Sequence, residues 1–401
     1  MSSFSIARYF PFRRVKITQQ NVHHEDARSA LIKLEPDERY RPLCHGCGSP
    51  AATVHSRGHR RLVRDLNMAG TQLWLQVEYR KIWCPHCDGT RVEQLSFVDA
   101  GRRVTHRLAR YVHELCCFMT LKEVAAHLDL DPRLVKEIDK RYLQEDFSHE
   151  DYAGLRVLMI DEIAVRRGHC YMTVAADYFT GRVVWMGPGR DKTTLGAFFA
   201  TMSAAQKQAI EAVAMDMWDP YINRVRFHCP QAKIVFDFFH LVQAFGKAID
   251  AVRRREYRKA NASGRKVLKG SRYVLLKNED NLTGRQRNHL RSILALNETL
   301  STIYVLKDQL KLLYFYSDRG QVRRALETWC QMAETIPYPE VQAFVKRLRR
   351  HAYGIMNHAD YPIGTSSLEG MNNKIKVIKR KAYGFHDMEY LVVKVKQAFA
   401  A

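Results

Sequence analysis

RVLMIDEIAV, residues 156–165, is a short apolar run with two adjacent acids, Asp161 and Glu162, near its end. Its length and β-branched content predict a buried strand. Side chains alternate across a strand, so the two acids point to opposite faces and only one can enter a given site. If Asp161 carries chemistry, its partners come from elsewhere in the chain. Glu162 is then expected to face away, unless the register is off by one residue.

Downstream, VLMID, CYMTVAAD and RVVWMG read as three strands, with DYFTG (residues 177–181) as the loop between the second and third. An amphipathic helix through TTLGAFFATMS follows, then a fourth strand, AVAMDM, a helical turn at DPYINRV, and a fifth strand, AKIVFD. Three antiparallel strands, a helix and further alternating strands is the order of an α/β ribonuclease H-like core. In it Asp161 and Asp216 each end on or just beyond a strand. Asp219 reads as an N-cap before Pro220. Residues 238–353 are mostly helical, with RYVLLK as a possible strand, and are expected to form an all-helical insertion. Trp329 within it reads as core, with stacking on an unpaired base as the alternative.

The last element, TSSLEGMNNKIKVIKRK, places Ser366 three residues before Glu369, the form of a capping box. The helix then runs into Lys374, Lys376, Lys379, Arg380 and Lys381. Such a run is either a solvated face or, beside a metal-holding carboxylate, a DNA-backbone contact.

Upstream lie CHGC (Cys44, Cys47) and CPHC (Cys84, Cys87). Two such knuckles close a four-thiolate zinc site, with room for a hairpin between them; unrelated core cysteines are the alternative. His45 and His86 are spectators if four thiolates saturate the ion. TLKEVAAHLDLDPRLVKEIDKRYL (residues 120–143) shows two helical stripes split by a turn at residues 129–131. This predicts a helix-turn-helix with Arg133, Lys136 and Lys140 on the recognition helix, or else a plain helical hairpin.

Lysine and arginine total 64 against 42 acids, a net charge of +22. That charge suits a polyanionic partner, double-stranded DNA above all. No apolar run is long enough to span a bilayer, and residues 1–17 lack a secretion-signal core. A cytoplasmic, nucleoid-associated protein is expected. Nine cysteines, four of them in doublets, look unlike a secreted disulfide framework.

Phosphodiester cleavage by two metal ions needs acidic oxygen ligands. Asp161, Asp216 and Glu369 sit where the predicted topology brings strand ends and the last helix together. Here the stretches IDEIAVRRGHCYMTVAADYFTGRVVWMGPGRDKTTLGAFF, AMDMWDPYINRV, IVFDFFHLVQAF, KGSRYVLLKNEDNLT and TSSLEGMNNKIKVIKRKAYGF resemble those of ISL3-family transposases of bacterial insertion sequences. The double knuckle with HSRGHRRLVRDL and the helix-turn-helix resemble them too. The resemblance implies a DDE transposase that binds the inverted repeats of its element, cuts, and joins the ends elsewhere. Asp161, Asp216 and Glu369 would hold Mg2+ (or Mn2+), a structural Zn2+ would sit on Cys44, Cys47, Cys84 and Cys87, and a homodimer or larger assembly would form on DNA. FDFFH resembles the D-x-x-H signature of related enzymes and singles out Asp237 and His240; the rival reading has Asp237 capping the next helix with His240 buried against it.

The expected organisation is an N-terminal arm (1–40), a zinc-binding module (41–100), a helix-turn-helix (101–150), a core in two parts (151–240 and 356–401) and the helical insertion (241–355). A transposase-derived regulator that no longer cuts, and a nuclease that cuts without joining, are the competing functions.

Overall fold

The computed structural model describes all residues except 1–9, 11, 23–27, 69, 167, 169, 364–365 and 401, and the side chains of 21, 22, 366 and 368 are likewise outside it. The chain forms two compact units, Met1–Asp146 and Phe147–Ala401.

In the first unit, β1 (Val15–Val22), β2 (Ser29–Pro36), β3 (Thr53–Met68), β4 (Thr71–Cys84) and β5 (Gly89–Val92) form one sheet in the order β1-β2-β4-β3, with β5 also on β4. Residues 1–40 are therefore more than an arm: β1 and β2 are part of this sheet, because Ile32 and Leu34 bury their side chains against Leu73, Leu75 and Val77. The expected hairpin between the knuckles is β3 and β4. It turns at Gly70, whose φ of 80° a side chain would disfavour.

Helices α1 (His106–Leu115), α2 (Leu121–Leu128) and α3 (Pro132–Phe147) follow. Thr120 and Glu123 close a capping box at the start of α2, and Asp129, at φ 51°, ends it in the left-handed conformation. Val124, Ala125 and Leu128 then meet Val135 and Ile138 in one core with Leu108, Ala109 and Val112 of α1.

Asp65, at the end of the RRLVRD stretch, ties α1 to the sheet. It is fully buried and accepts hydrogen bonds from Thr105 Oγ1 and Arg107 Nε, both at 2.7 Å. Asp65→Ala strands both donors and is expected to cost about 2–4 kcal/mol. The check is the urea midpoint of the first unit; an unchanged midpoint removes the role.

In the second unit, β6 (Val157–Arg166), β7 (Cys170–Asp177), β8 (Val183–Pro188), β9 (Ala212–Met215) and β10 (Lys233–Phe236) form a sheet in the order β10-β9-β6-β7-β8. β6, β7 and β8 are antiparallel, whereas β9 and β10 run parallel to β6. The DYFTG loop is held by Asp177, which accepts from Phe179 N and Thr180 Oγ1.

Helices α4 (Lys192–Ala200), α5 (Ala204–Gln208), α6 (Asp219–His228) and α7 (Phe238–Lys259) lie in or after the β8–β10 connections. The helical region continues as α8 (Ala262–Leu268), α9 (Ser271–Leu276), α10 (Gly284–Leu296), α11 (Glu298–Leu312), α12 (Arg319–Glu334), α13 (Pro339–Arg350) and α14 (Ala352–Met356), and the chain closes with α15 (Ser366–Lys381) and α16 (Met388–Ala398).

Both sheet faces are covered, which explains the unbroken apolar strands. Leu158, Ile160, Val213, Met215, Ile234 and Phe236 face the core shared with α4, α6, α7 and the later helices. Val157, Met159, Ala212, Ala214 and Val235 face Met371, Ile375, Leu391 and Val395 of α15 and α16. The helical segment thus shares its core with the sheet. At Gly354 a Cβ would lie 2.3 Å from the Phe236 ring, so only glycine lets α14 close over β10.

One expectation, the capping role of Asp219, is corrected, and two open alternatives are decided. RYVLLK is helical, in α9: a four-residue apolar run fits either period, and with no strand beside it the backbone bonds locally. Asp219 is the first residue of α6 and not its cap; Trp218 holds the cap position without a side-chain bond, and Asp219 pairs with Arg350 at 3.2 Å. Trp329 is 1% exposed and donates Nε1–H to Leu306 O at 2.8 Å, which rules out base stacking.

The segment also buries a charge. Lys307 on α11 is 3% exposed and donates to the carbonyls of Leu275 (3.1 Å) and Lys277 (2.7 Å). Burial lowers its pKa from 10.5 to about 8, partly offset by Asp308. Between these values the unfolded chain binds more protons, so this contribution to stability is lowest below pH 8 and rises as pH climbs towards 10.5. The stability of wild type relative to Lys307→Met should rise across that window in urea titrations. A flat difference contradicts it.

Candidate active site and metal centre

Cys44 and Cys47 precede β3 and β5 brings its strand beside Cys84 at the end of β4, so the two knuckles meet. The four sulfurs lie within 4.8 Å of one another, with Cys44–Cys87 at 3.8 Å and Cys47–Cys84 at 3.5 Å. Those separations are too long for disulfides. They match the edge of a tetrahedron built on zinc–sulfur bonds of about 2.3 Å, roughly 3.8 Å. Gly46 N–H points at Cys44 Sγ, which suits a thiolate. His45 Nδ1 instead meets Val92 O, and His86 is exposed and outside the sulfur cluster.

In the second unit the acids follow from strand register. Val157, Leu158 and Met159 pair with Ala212, Val213 and Ala214, and continuing this register two residues sets Asp161 level with Asp216. Phe236 pairs with Met215, which sets Asp237 level with Asp216 in turn. The three aspartates form a row across three neighbouring parallel strands, Asp161 in the middle of β6 and Asp216 and Asp237 just beyond the ends of β9 and β10. Their parity with Met159, Ala214 and Val235 puts them on the sheet face covered by α15 and α16.

One oxygen of each is held by backbone: Asp161 Oδ1 by Glu162 N, Asp216 Oδ1 by Met217 N, and Asp237 Oδ1 by Phe239 N. The last of these is the N-cap of α7, so the capping reading of Asp237 is correct. Its other oxygen accepts from His240 Nδ1 at 3.1 Å. That bond, with Asp216 and Asp161 nearby, raises the His240 pKa to about 9 against the opposing effect of burial. Asp161 is 8% exposed, and burial raises its pKa.

Glu162 points the other way, as alternation requires, but not to solvent. It lies beside Tyr221 on α6, whose hydroxyl is 2.7 Å from Thr173 Oγ1. Burial, then Asp161 and Asp216, push Glu162 up to about 7.

Asn372 on α15 was not singled out from sequence. Its Nδ2 donates to Asp161 Oδ2, and its Oδ1 is buried with no donor. Glu369, one turn earlier, shares that helix face. Spacing from Glu369 is the signal that could have found Asn372. Glu369 itself is exposed, and among the described residues no hydrogen bond or ion pair joins it to Asp161 or Asp216. Its proposed capping partner, the Ser366 side chain, lies outside the described residues.

The donor set fits a hard divalent cation: two level carboxylates and an orphaned amide oxygen. Among the described residues, however, only the four cysteines form a ready cluster of three or more ligands.

The basic residues divide. Lys376, Arg380 and Lys381 are exposed. Lys374 Nζ donates to Ala398 O and Lys379 Nζ to Ala164 O, which pins α15 to its neighbours. Arg133 is exposed on α3, while Lys136 and Lys140 are half-buried and already engaged. No helix among the described residues is long and apolar enough to cross a membrane.

Comparison with known proteins accounts for all three parts. Residues 41–87 match the zinc-finger of transposase IS204/IS1001/IS1096/IS1165, residues 93–143 the helix-turn-helix domain of transposase family ISL3, and residues 158–395 the ISL3 transposase domain itself. The chain is 38% identical over 378 residues to the transposase for insertion sequence element IS1001 of Bordetella parapertussis, covering 94% of this chain and 93% of that protein. It is 28% identical over 392 residues to the transposase for insertion sequence element IS1557 of Mycobacterium tuberculosis, covering 92% and 88%. A likeness that runs through the zinc ribbon, the helix-turn-helix and the acid-bearing sheet alike places the chain in the ISL3 family of transposases.

Proposed function

We propose that the protein binds the terminal inverted repeats of its own insertion sequence and performs metal-dependent strand cleavage and strand transfer on a ribonuclease H-like core. The observation that carries this reading is the level row of Asp161, Asp216 and Asp237 on adjacent parallel strands, with His240 bonded to the third. The order and direction of the five strands agree with that core.

Asp161 and Asp216, joined by Glu369 from α15, would hold magnesium or manganese. Bound there, two such ions activate the attacking oxygen and stabilise the leaving one. Asn372 fixes the carboxylate of Asp161 and offers a further oxygen. His240 holds Asp237 through its Nδ1. Lys376, Arg380 and Lys381 continue from Glu369 along α15 and would meet the DNA backbone. Residues 41–150 would read the element ends, with Arg133 foremost on α3. Two ends held together call for at least two copies of the chain.

The test is junction formation in cells from a plasmid carrying the gene between its native flanks, read by sequencing across the joined ends. Junctions are expected. A well-expressed protein that binds the flanks and yields none is instead a non-cutting regulator.

A further inference from the structure

We propose that a cationic cleft at the far end of α7 is a second DNA site, which grips the phosphodiester backbone of duplex leaving the acids; this rests on the reading of the chain as a DNA-cutting transposase.

Between residues 253 and 291 there are 13 lysines and arginines against 3 acids. Four of them, Arg253, Arg254, Arg258 and Lys269, line a cleft of about 360 Å³ together with Tyr257 and Leu268. The local acids do not neutralise it. Glu256 is taken up by Asn297, Tyr338 and Lys259. One carboxylate, Asp250, is shared by Arg253 (2.9 Å), Arg254 (3.5 Å) and Arg272 (3.7 Å). Arg258, Lys266 and Lys269 are exposed, and among the described residues their side chains have no hydrogen bond or ion pair. Four cations held together in a concave surface beside one shared carboxylate repel one another, and a polyanion relieves that repulsion.

The path to the cleft favours DNA over a small anion. α7 is one unbroken helix that begins next to Asp237. Of its exposed residues, Phe239, Gln243, Lys247, Arg254 and Arg258 fall within about 100° of arc, a stripe leading from the end beside Asp237 to the cleft, with Arg255 and Lys259 outside it. Arg253 and Arg258 lie 16 and 21 residues beyond Asp237, or about 24 and 32 Å along the axis. Duplex following this stripe would reach the cleft about 7–9 base pairs from the cut, at about 3.4 Å per pair.

The test is binding of the full chain, without divalent ions, to a mixed-sequence duplex of about 30 base pairs, long enough to span acids and cleft. Wild type is compared with the triple variant Arg254→Glu, Arg258→Glu, Lys269→Glu by fluorescence anisotropy at several salt concentrations. Losing three phosphate contacts should make the slope of log affinity against log salt shallower by roughly 2.7 and weaken binding at least about tenfold. The corresponding glutamine triple, should the first fail to fold, is expected to lose the same slope. On an element end defined by junction sequencing, neutral methylphosphonates about 7–9 pairs from the cut should weaken wild type and not the variant. A folded variant with the wild-type slope overturns the site, and sensitivity elsewhere overturns its placement. The first readout needs no chemistry, so a wild type that binds through the cleft yet never forms junctions sinks only the cutting reading.

Discussion

Asp161→Asn is expected to abolish junction formation while leaving the protein as stable as wild type, or more so. The side chain lies in the aspartate row, in the middle of β6, with Asn372 fixing one oxygen and the backbone of Glu162 the other. Asparagine keeps the shape and removes the charge that a divalent cation needs. Loss of metal-based charge stabilisation is worth several kcal/mol in the transition state, so junctions should fall by roughly a thousandfold or more. Stability should move the other way. Burial raises the pKa of Asp161, so the folded state disfavours its ionised form, and a neutral replacement relieves that cost. The measurement pairs sequencing of junctions with thermal unfolding of the purified variant. Glu162→Gln is the register control: it faces Tyr221 on the opposite side of the sheet and should keep junctions within about tenfold of wild type, an effect of order 1 kcal/mol. Junctions that survive in Asp161→Asn and vanish in Glu162→Gln would exchange the two roles.

Much of this arrangement is legible in the sequence, for physical reasons. The five strands of the second unit are buried on both faces and read as short apolar runs between turn residues, and period two alone separated Asp161 from Glu162. The doubled C-x-x-C spacing carried the thiolate cluster because only a shared ion or disulfides reward that pattern. Where two periods fit equally, as at RYVLLK, local sequence could not choose. What Asp219 pairs with depends on Arg350, 131 residues away, and no local rule reaches that far. The lysine run on α15 read as one basic face, yet Lys374 and Lys379 are spent on internal carbonyls. Asn372 was missed for the opposite reason: an uncharged side chain draws no notice until its partner is known to be Asp161. Glu369, one turn from Asn372 on the same helix face, is proposed from the predicted topology and the family resemblance.

Zinc removal should have the other large effect, confined to the first unit. The cluster around the sulfurs is small: apart from the four cysteines, its apolar members are Ile82 and Ala51. So few side chains cannot hold two knuckles and the end of β4 in place. A structural zinc site contributes roughly 10–16 kcal/mol in small zinc domains, all of it folding energy. Purified protein should therefore carry one zinc ion per chain, set by the single four-thiolate cluster among the described residues. Stripping it with a strong chelator, or making Cys44→Ser, should open residues 41–95 to protease and abolish binding to the element ends. The second unit has its own core and contains none of the four ligands, so its unfolding transition should stay where it was. Binding to mixed-sequence duplex through the second unit should persist, which separates loss of recognition from loss of the whole fold. If metal-free protein kept its protease resistance and its end binding, the four cysteines would be ordinary core residues, and the knuckles would owe their geometry to the sheet alone.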